Sequence, residues 1–146
     1  ISKVNYELVE YVVDESDLGA EHIAEQLGEN IKQVFKTIVM HGDKTGKFVC
    51  VVPGDAEIDL KKAASVSRNK KCATLPLKEL LPTTGYIRGG CSPIGMKKQF
   101  PTYIDESAKN FEQIYVSAGI RGMQVKLSPK DLANETKADF CDLIME

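Results

Sequence analysis

Residues 34–53, VFKTIVMHGDKTGKFVCVVP, constrain the fold more than any other stretch of this chain. Two β-prone runs, 34–41 and 47–53, flank GDKTG, a glycine-containing loop of hairpin length. The first run is apolar on both faces: Phe35, Thr37 and Val39 fall on one, Val34, Ile38 and Met40 on the other. A strand with one wet face alternates apolar and polar residues; this one does not, so it is predicted to be buried on both sides. The rest of the chain must then cover two faces of one sheet. Lys36 stands in the middle of that strand. A lysine there must run its amine out to water at the sheet edge, find a partner, or point into a polar cavity, because an unpaired buried charge is costly. Both the edge and the cavity reading are open on this pattern. In the cavity, an ammonium suits a phosphate or a developing oxyanion.

The covering elements are legible in part. YELVEYVV (6–13) reads as a first strand. Ala20, Ile23, Ala24 and Leu27 follow helical spacing, with Gly28 where a C-terminal cap belongs. Asp59 is placed to cap a helix running to about Ser67, with Leu60, Ala63 and Ala64 inward. CATLP reads as a short strand and LKELL as a helical turn closed by Pro82. PTYID (101–105), IYVSAG (114–119) and MQVKLS (123–128) read as strands, the last two paired around AGIRG. Ser128-Pro129-Lys130-Asp131 is a helix start, with Ser at the N-cap, Pro at the first helical position and an acid at the third. The tail DFCDLIM is ambiguous. The irregular order of strands and helices predicts a single α+β domain over residues 1–146: a mixed six- to seven-stranded β-barrel flanked by helices.

Composition excludes several classes. With 146 residues and no run of about 18 apolar ones, no transmembrane helix is expected. The N-terminus lacks the apolar core of a signal peptide; it opens on Ile1 rather than Met, so a natural leader is expected to be missing. The four cysteines, Cys50, Cys72, Cys91 and Cys141, are far apart, form no CxxC and are remote from His22 and His41. Reduced thiols in a cytoplasmic protein are the expectation, with no metal and no disulfide framework. A net charge of −2 argues against a dedicated duplex-DNA binder. Basic residues cluster locally at Lys61, Lys62, Arg68, Lys70 and Lys71, and again at Arg88, Lys97 and Lys98. Either group is a solvated surface or a meeting place for phosphates.

GYIRGGCSPIGMKKQFPTYID (85–105) holds four glycines and two prolines. Gly89 and Gly90 let backbone N–H groups approach a ligand closely, and Ser92 adds a hydroxyl beside Pro93. It is neither a GxxxxGK[ST] phosphate loop nor a GxGxxG fingerprint, so taken alone it reads equally as a structural turn. Cys91 lacks an evident histidine partner, and Ser92 lacks a GxSxG elbow, so neither is read as a nucleophile.

VFKTIV, then G-Y-x-x-G-G-x-S-P-x-G-x-K-K, then IYVSAGIRGMQVKL, together resemble the YbaK/EbsC family of aminoacyl-tRNA deacylases, in particular its Cys-tRNA(Pro)/Cys-tRNA(Cys) branch. The same domain occurs as the editing insertion of bacterial prolyl-tRNA synthetases. The resemblance runs from about Tyr6 to the C-terminal helix. It implies hydrolysis of the ester joining an amino acid to the 3′-terminal adenosine of a mischarged tRNA, Cys-tRNA(Pro) first, with no metal, no cofactor and no enzyme nucleophile. The substrate's thiol or a ribose hydroxyl would attack, and the enzyme would supply position, which can lower a barrier by about 7–11 kcal/mol. Carried residue by residue, Lys36 and Gly89 take the catalytic roles. Tyr11, Gly90, Ser92, Pro93, Gly119 and Gln124 line the substrate site. Many members carry an acid where this chain has Gln124, which bears on the amino acid removed. The implied partners are the aminoacylated 3′ end of tRNA and prolyl-tRNA synthetase, with no membrane and no DNA. Two alternatives stand beside this: a non-catalytic module binding a nucleotide or synthetase, and a deacylase for another amino acid such as alanine.

Overall fold

The structure, a computed structural model, describes residues 6–12, 20–28, 30–87, 91–94, 96 and 100–145. The chain is α+β, with eight strands in two sheets and four helices among these residues. The central hairpin forms as the sequence predicts: β2 (Phe35–Gly42) pairs with β3 (Gly46–Pro53) antiparallel, Phe35 opposite Pro53 and Gly42 opposite Gly46. It sits in a five-stranded sheet of order β4-β2-β3-β5-β8, where β4 is Cys72–Thr74, β5 Thr102–Asp105 and β8 Asp139–Cys141. The second sheet has three antiparallel strands, β1 (Tyr6–Glu10), β7 (Met123–Leu127) and β6 (Ile114–Ser117), in the order β1-β7-β6.

Both faces of the hairpin are covered, as its two-sided apolar pattern requires. On one face Phe35, Val39, Val49 and Val51 pack with Ile104, Ile114, Val116, Leu127 and Leu132. On the other, Met40, Phe48, Cys50 and Val52 pack with Ala63 of α2 (Leu60–Val66) and with Leu143. Each such side chain contributes about 1.5–3 kcal/mol relative to exposure. A third cluster joins Ile23 and Ala24 of α1 (Ala20–Leu27) to Val34 and Tyr115. A parallel bridge, Val34 to Tyr115, connects the two sheets.

The barrel is not confirmed, the ambiguous tail resolves, and two expectations are corrected. The strands form two sheets of three and five, and no closed barrel is detected among the described residues. The added strand is β8, from the ambiguous tail, where Phe140 lies opposite Ile104 in a parallel pairing. Helix α3 (Leu77–Thr84) runs through Pro82 instead of stopping there. Its last turn survives because the Thr84 hydroxyl donates to the Leu80 carbonyl and the Gly85 N–H to that of Leu81. Leu60 is exposed, being the first residue after the Asp59 cap, before the helix has turned onto the sheet.

Candidate functional site

The register of β2 sets where Lys36 points. Val34, Lys36, Ile38 and Met40 share one face of the strand. Val34 lies in the cluster covered by α1, whereas Ile38 and Met40 lie in the one covered by α2. Lys36 therefore emerges where the helical cover changes hands. It is half-buried and engaged by its neighbours.

The second sheet brings polar groups to the same seam. Gln124 of β7 is flanked by Val9 of β1 and Ser117 of β6, so the three form a row on one face. Tyr11, whose N–H donates to the Gly122 carbonyl at 2.8 Å, lies two residues beyond Val9 on that face. The parallel Val34–Tyr115 bridge brings the start of β2 against β6, the strand that carries Ser117. Tyr11, Gln124 and Ser117 thus share one face of the second sheet, and Lys36 lies on β2 two residues past the bridge to it; the sequence reading missed Ser117. The signal for Ser117 was the hairpin around AGIRG, since its register places Ser117 opposite Gln124.

The polarity of this seam is unspent. Gln124 is 2% exposed, and its Oε1 has no hydrogen-bond partner; on the face of β2 opposite Lys36, the buried Thr37 hydroxyl also has none. A buried acceptor without a partner costs about 1–3 kcal/mol, so the Gln124 amide oxygen stands open to a donor. The Ser117 Oγ accepts from the Gly119 N–H at 3.2 Å.

The Gly-rich segment is pinned at both ends. Before it, the Tyr86 N–H donates to Thr84 Oγ1 at 3.0 Å, and the Tyr86 hydroxyl donates to the Ile94 carbonyl at 2.6 Å. After it, Cys91, Ser92 and Pro93 are buried, and the Ser92 Oγ accepts from the Ile94 N–H. Gly119, at φ +99°, presses on this frame: a Cβ there would stand 2.9 Å from the Tyr86 ring. Gly119 thus packs against Tyr86, and Ser92 and Pro93 are buried. Gly89 and Gly90 lie outside the described residues. Burial, followed by the neighbouring Cys91, raises the Tyr86 phenol above its ordinary pKa. The Cys91 thiol is pushed up to about 11, chiefly by burial and against a hydrogen bond from Thr84. A thiol of that kind, packed in the core, is a poor nucleophile at neutral pH.

Two surface hollows lie elsewhere, of about 510 and 280 Å³, beside the short helical turn Glu106–Asn110. Neither contains a residue predicted for the site. The buried carboxylate in the larger, Asp105, already accepts from the Ser107 N–H and hydroxyl and from the Leu143 N–H. Among the described residues, no three of His, Cys, Asp and Glu gather to hold a metal ion, and no helix is long and apolar enough to cross a membrane.

The two-sheet α+β frame is that of an aminoacyl-tRNA editing domain. The model of that family, the aminoacyl-tRNA editing domain, matches residues 9–135, and this chain belongs to it. The chain is 52% identical to EbsC of Enterococcus faecalis, a proposed Cys-tRNA(Pro)/Cys-tRNA(Cys) deacylase, over 97% of this chain and 86% of that one. It is 28% identical to the proline–tRNA ligase of Fervidobacterium nodosum over 63% of this chain and 16% of the ligase. A crystal structure of a proposed trans-editing enzyme for prolyl tRNA synthetase superposes with a TM-score of 0.85 at 26% identity, covering 97% of this chain and 87% of that one.

Proposed function

We propose that this editing domain is a deacylase that clears mischarged tRNA in trans, with Cys-tRNA(Pro) as its first substrate. The observation that best supports the reading is the buried, unpartnered amide oxygen of Gln124 on the sheet that the Val34–Tyr115 bridge ties to the Lys36 strand. The names borne by its relatives support the same reaction. Lys36 takes the terminal phosphate or the reacting carbonyl oxygen. There an ammonium in a partly desolvated site strengthens as negative charge develops. Gln124 offers its Oε1 to the substrate's ammonium or to a ribose hydroxyl. Gly89 and Gly90 present backbone N–H groups to the aminoacyl-adenosine, and Tyr11, Ser92, Pro93 and Gly119 shape the walls.

The bond that breaks is the ester between the aminoacyl carbon and the ribose 3′ oxygen. In the cysteine case the substrate's own sulfur bonds to that carbon, the 3′ oxygen leaves with a proton, and water later opens the cyclic thioester. The protein contributes orientation and charge, in keeping with a core-packed Cys91. Such an enzyme works in the cytoplasm, where charged tRNA is found, with prolyl-tRNA synthetase as the candidate partner. The neutral Gln124 favours keeping alanine as a second candidate substrate. The deciding experiment is a side-by-side deacylation assay on Cys-, Ala- and Pro-charged tRNA(Pro). Fastest release from Cys-tRNA(Pro) is expected. An order led by Ala reassigns the amino acid. Binding without turnover of any of the three overturns the enzyme in favour of a binding module.

A further inference from the structure

The exposed cations are unevenly placed. Lys44 on the β2–β3 turn, and Arg68, Lys70 and Lys71 on the turn leaving α2, all lie at the end of the hairpin remote from Lys36, and all are exposed. Lys61, on the first turn of α2, flanks them. Among the described residues no carboxylate forms an ion pair with these five. The two turns are locked together by buried polar groups. Asn69, 8% exposed, accepts at Oδ1 from the N–H groups of Lys44 and Thr45, both at 2.8 Å. Its Nδ2 donates to the hydroxyls of Thr45 and Ser67. Gly42 leaves the room: a Cβ there would collide with the Asn69 amide. Asp43, the acid at the centre, accepts from the backbone N–H groups of Lys70 and Lys71 at 3.0 and 3.2 Å. The Asp43 carboxylate is thereby held on the main chain and keeps its charge, so the patch carries this one acid among five exposed cations.

α2 packs on the same face of β2 that carries Lys36. Seven residues separate Lys36 from Asp43, about 23 Å at roughly 3.3 Å per residue. We propose that this basic patch holds phosphates of the tRNA acceptor stem while the aminoacyl end lies at Lys36; the proposal rests on the deacylase reading. A strand stacked at about 3.4 Å per nucleotide spans the gap in roughly seven nucleotides. That is the unpaired 3′ tail and the first pairs of the stem. The patch offers ammonium and guanidinium groups, which read backbone charge and leave sequence to other contacts. On a chain of net charge −2 it also orients the approach of a polyanion.

The test is a variant carrying Lys44→Gln, Arg68→Gln, Lys70→Gln and Lys71→Gln. The locking bonds use the backbone at these positions, so the turns stay built. Titration of labelled, uncharged tRNA by anisotropy at several salt concentrations is expected to show at least about ten-fold weaker binding. The salt slope is expected to become shallower, by about one for each phosphate that the variant no longer engages. Turnover of the cysteine ester of adenosine, which has no stem, is expected to be unchanged. Three results overturn the proposal: an unaltered salt slope, an equal weakening with Lys109→Gln/Lys130→Gln/Lys137→Gln on other surfaces, or intact tRNA binding with abolished synthetase binding. Should the unaltered protein turn over neither tRNA nor the ester, the deacylase reading fails, and the titration still decides the patch.

Discussion

Lys36 and Gln124 make opposite demands on stability and function. Removing the Lys36 charge takes away an electrostatic donor whose loss typically costs about 10²–10³ in rate. Lys36→Ala is expected to lower single-turnover deacylation by at least about 100-fold while leaving the melting temperature within a few degrees; undiminished turnover removes Lys36 from the mechanism. Gln124 is the converse case. Its buried Oε1 goes without a partner in the protein alone, so Gln124→Met fills the same space with nothing to satisfy. That variant is expected to be more stable to urea by about 1 kcal/mol and slower on charged tRNA. A gain in stability with full activity would mean that Gln124 touches no substrate.

At the scale of elements, what was legible was local. The 34–53 hairpin and the Ser128-capped helix α4 (Pro129–Thr136) announced themselves because their turn loop and N-cap lie next to the pattern they organise. The parallel pairings of β3 with β5 and of β5 with β8 did not, since nothing in a three-residue run such as Asp139–Cys141 names a partner far away in sequence. The site divides in the same way. Lys36 stood out as a charge in an apolar strand, but Ser117 became visible only through register, and Gly119 lies against the Tyr86 ring. That packing is testable. At φ +99° an alanine is strained by about 1–3 kcal/mol, and its Cβ must push the ring that anchors the Gly-rich segment. Gly119→Ala is expected to lower the urea midpoint and kcat together. Ser128→Ala, which removes only the α4 cap bond to the Asp131 N–H, is expected to cost about 1 kcal/mol with activity intact. Equal activity losses in the two would show that Gly119 matters to folding alone.

Across the whole molecule the thiols tie stability to alkaline pH. Burial, with neighbouring charges, raises Cys50; burial sets Cys91 at about 11; burial, then Asp105 and Asp139, puts Cys141 at about 11. An unfolded chain releases these protons from about pH 8.5 upward. Between there and about pH 11 the native state therefore holds more protons than the unfolded one, and stability must fall as pH rises. Below about pH 8.5 both states are protonated and the contribution is complete. The melting temperature is expected to be level from pH 6 to about 8.5 and then to decline steeply. Half-buried Tyr86 and Tyr103, whose phenols are also raised, add to the decline at higher pH. Cys91→Ala separates the thiol from the tyrosines: it should flatten part of the slope above about pH 9, worth about 2–3 kcal/mol by pH 11, after a modest loss at neutral pH from the smaller side chain. The same variant is expected to deacylate at the unaltered rate, because a thiol held protonated among Val51, Ile104 and Val116 has no part in attacking the ester. A folded Cys91→Ala protein without activity would reverse that assignment and make the thiol the nucleophile.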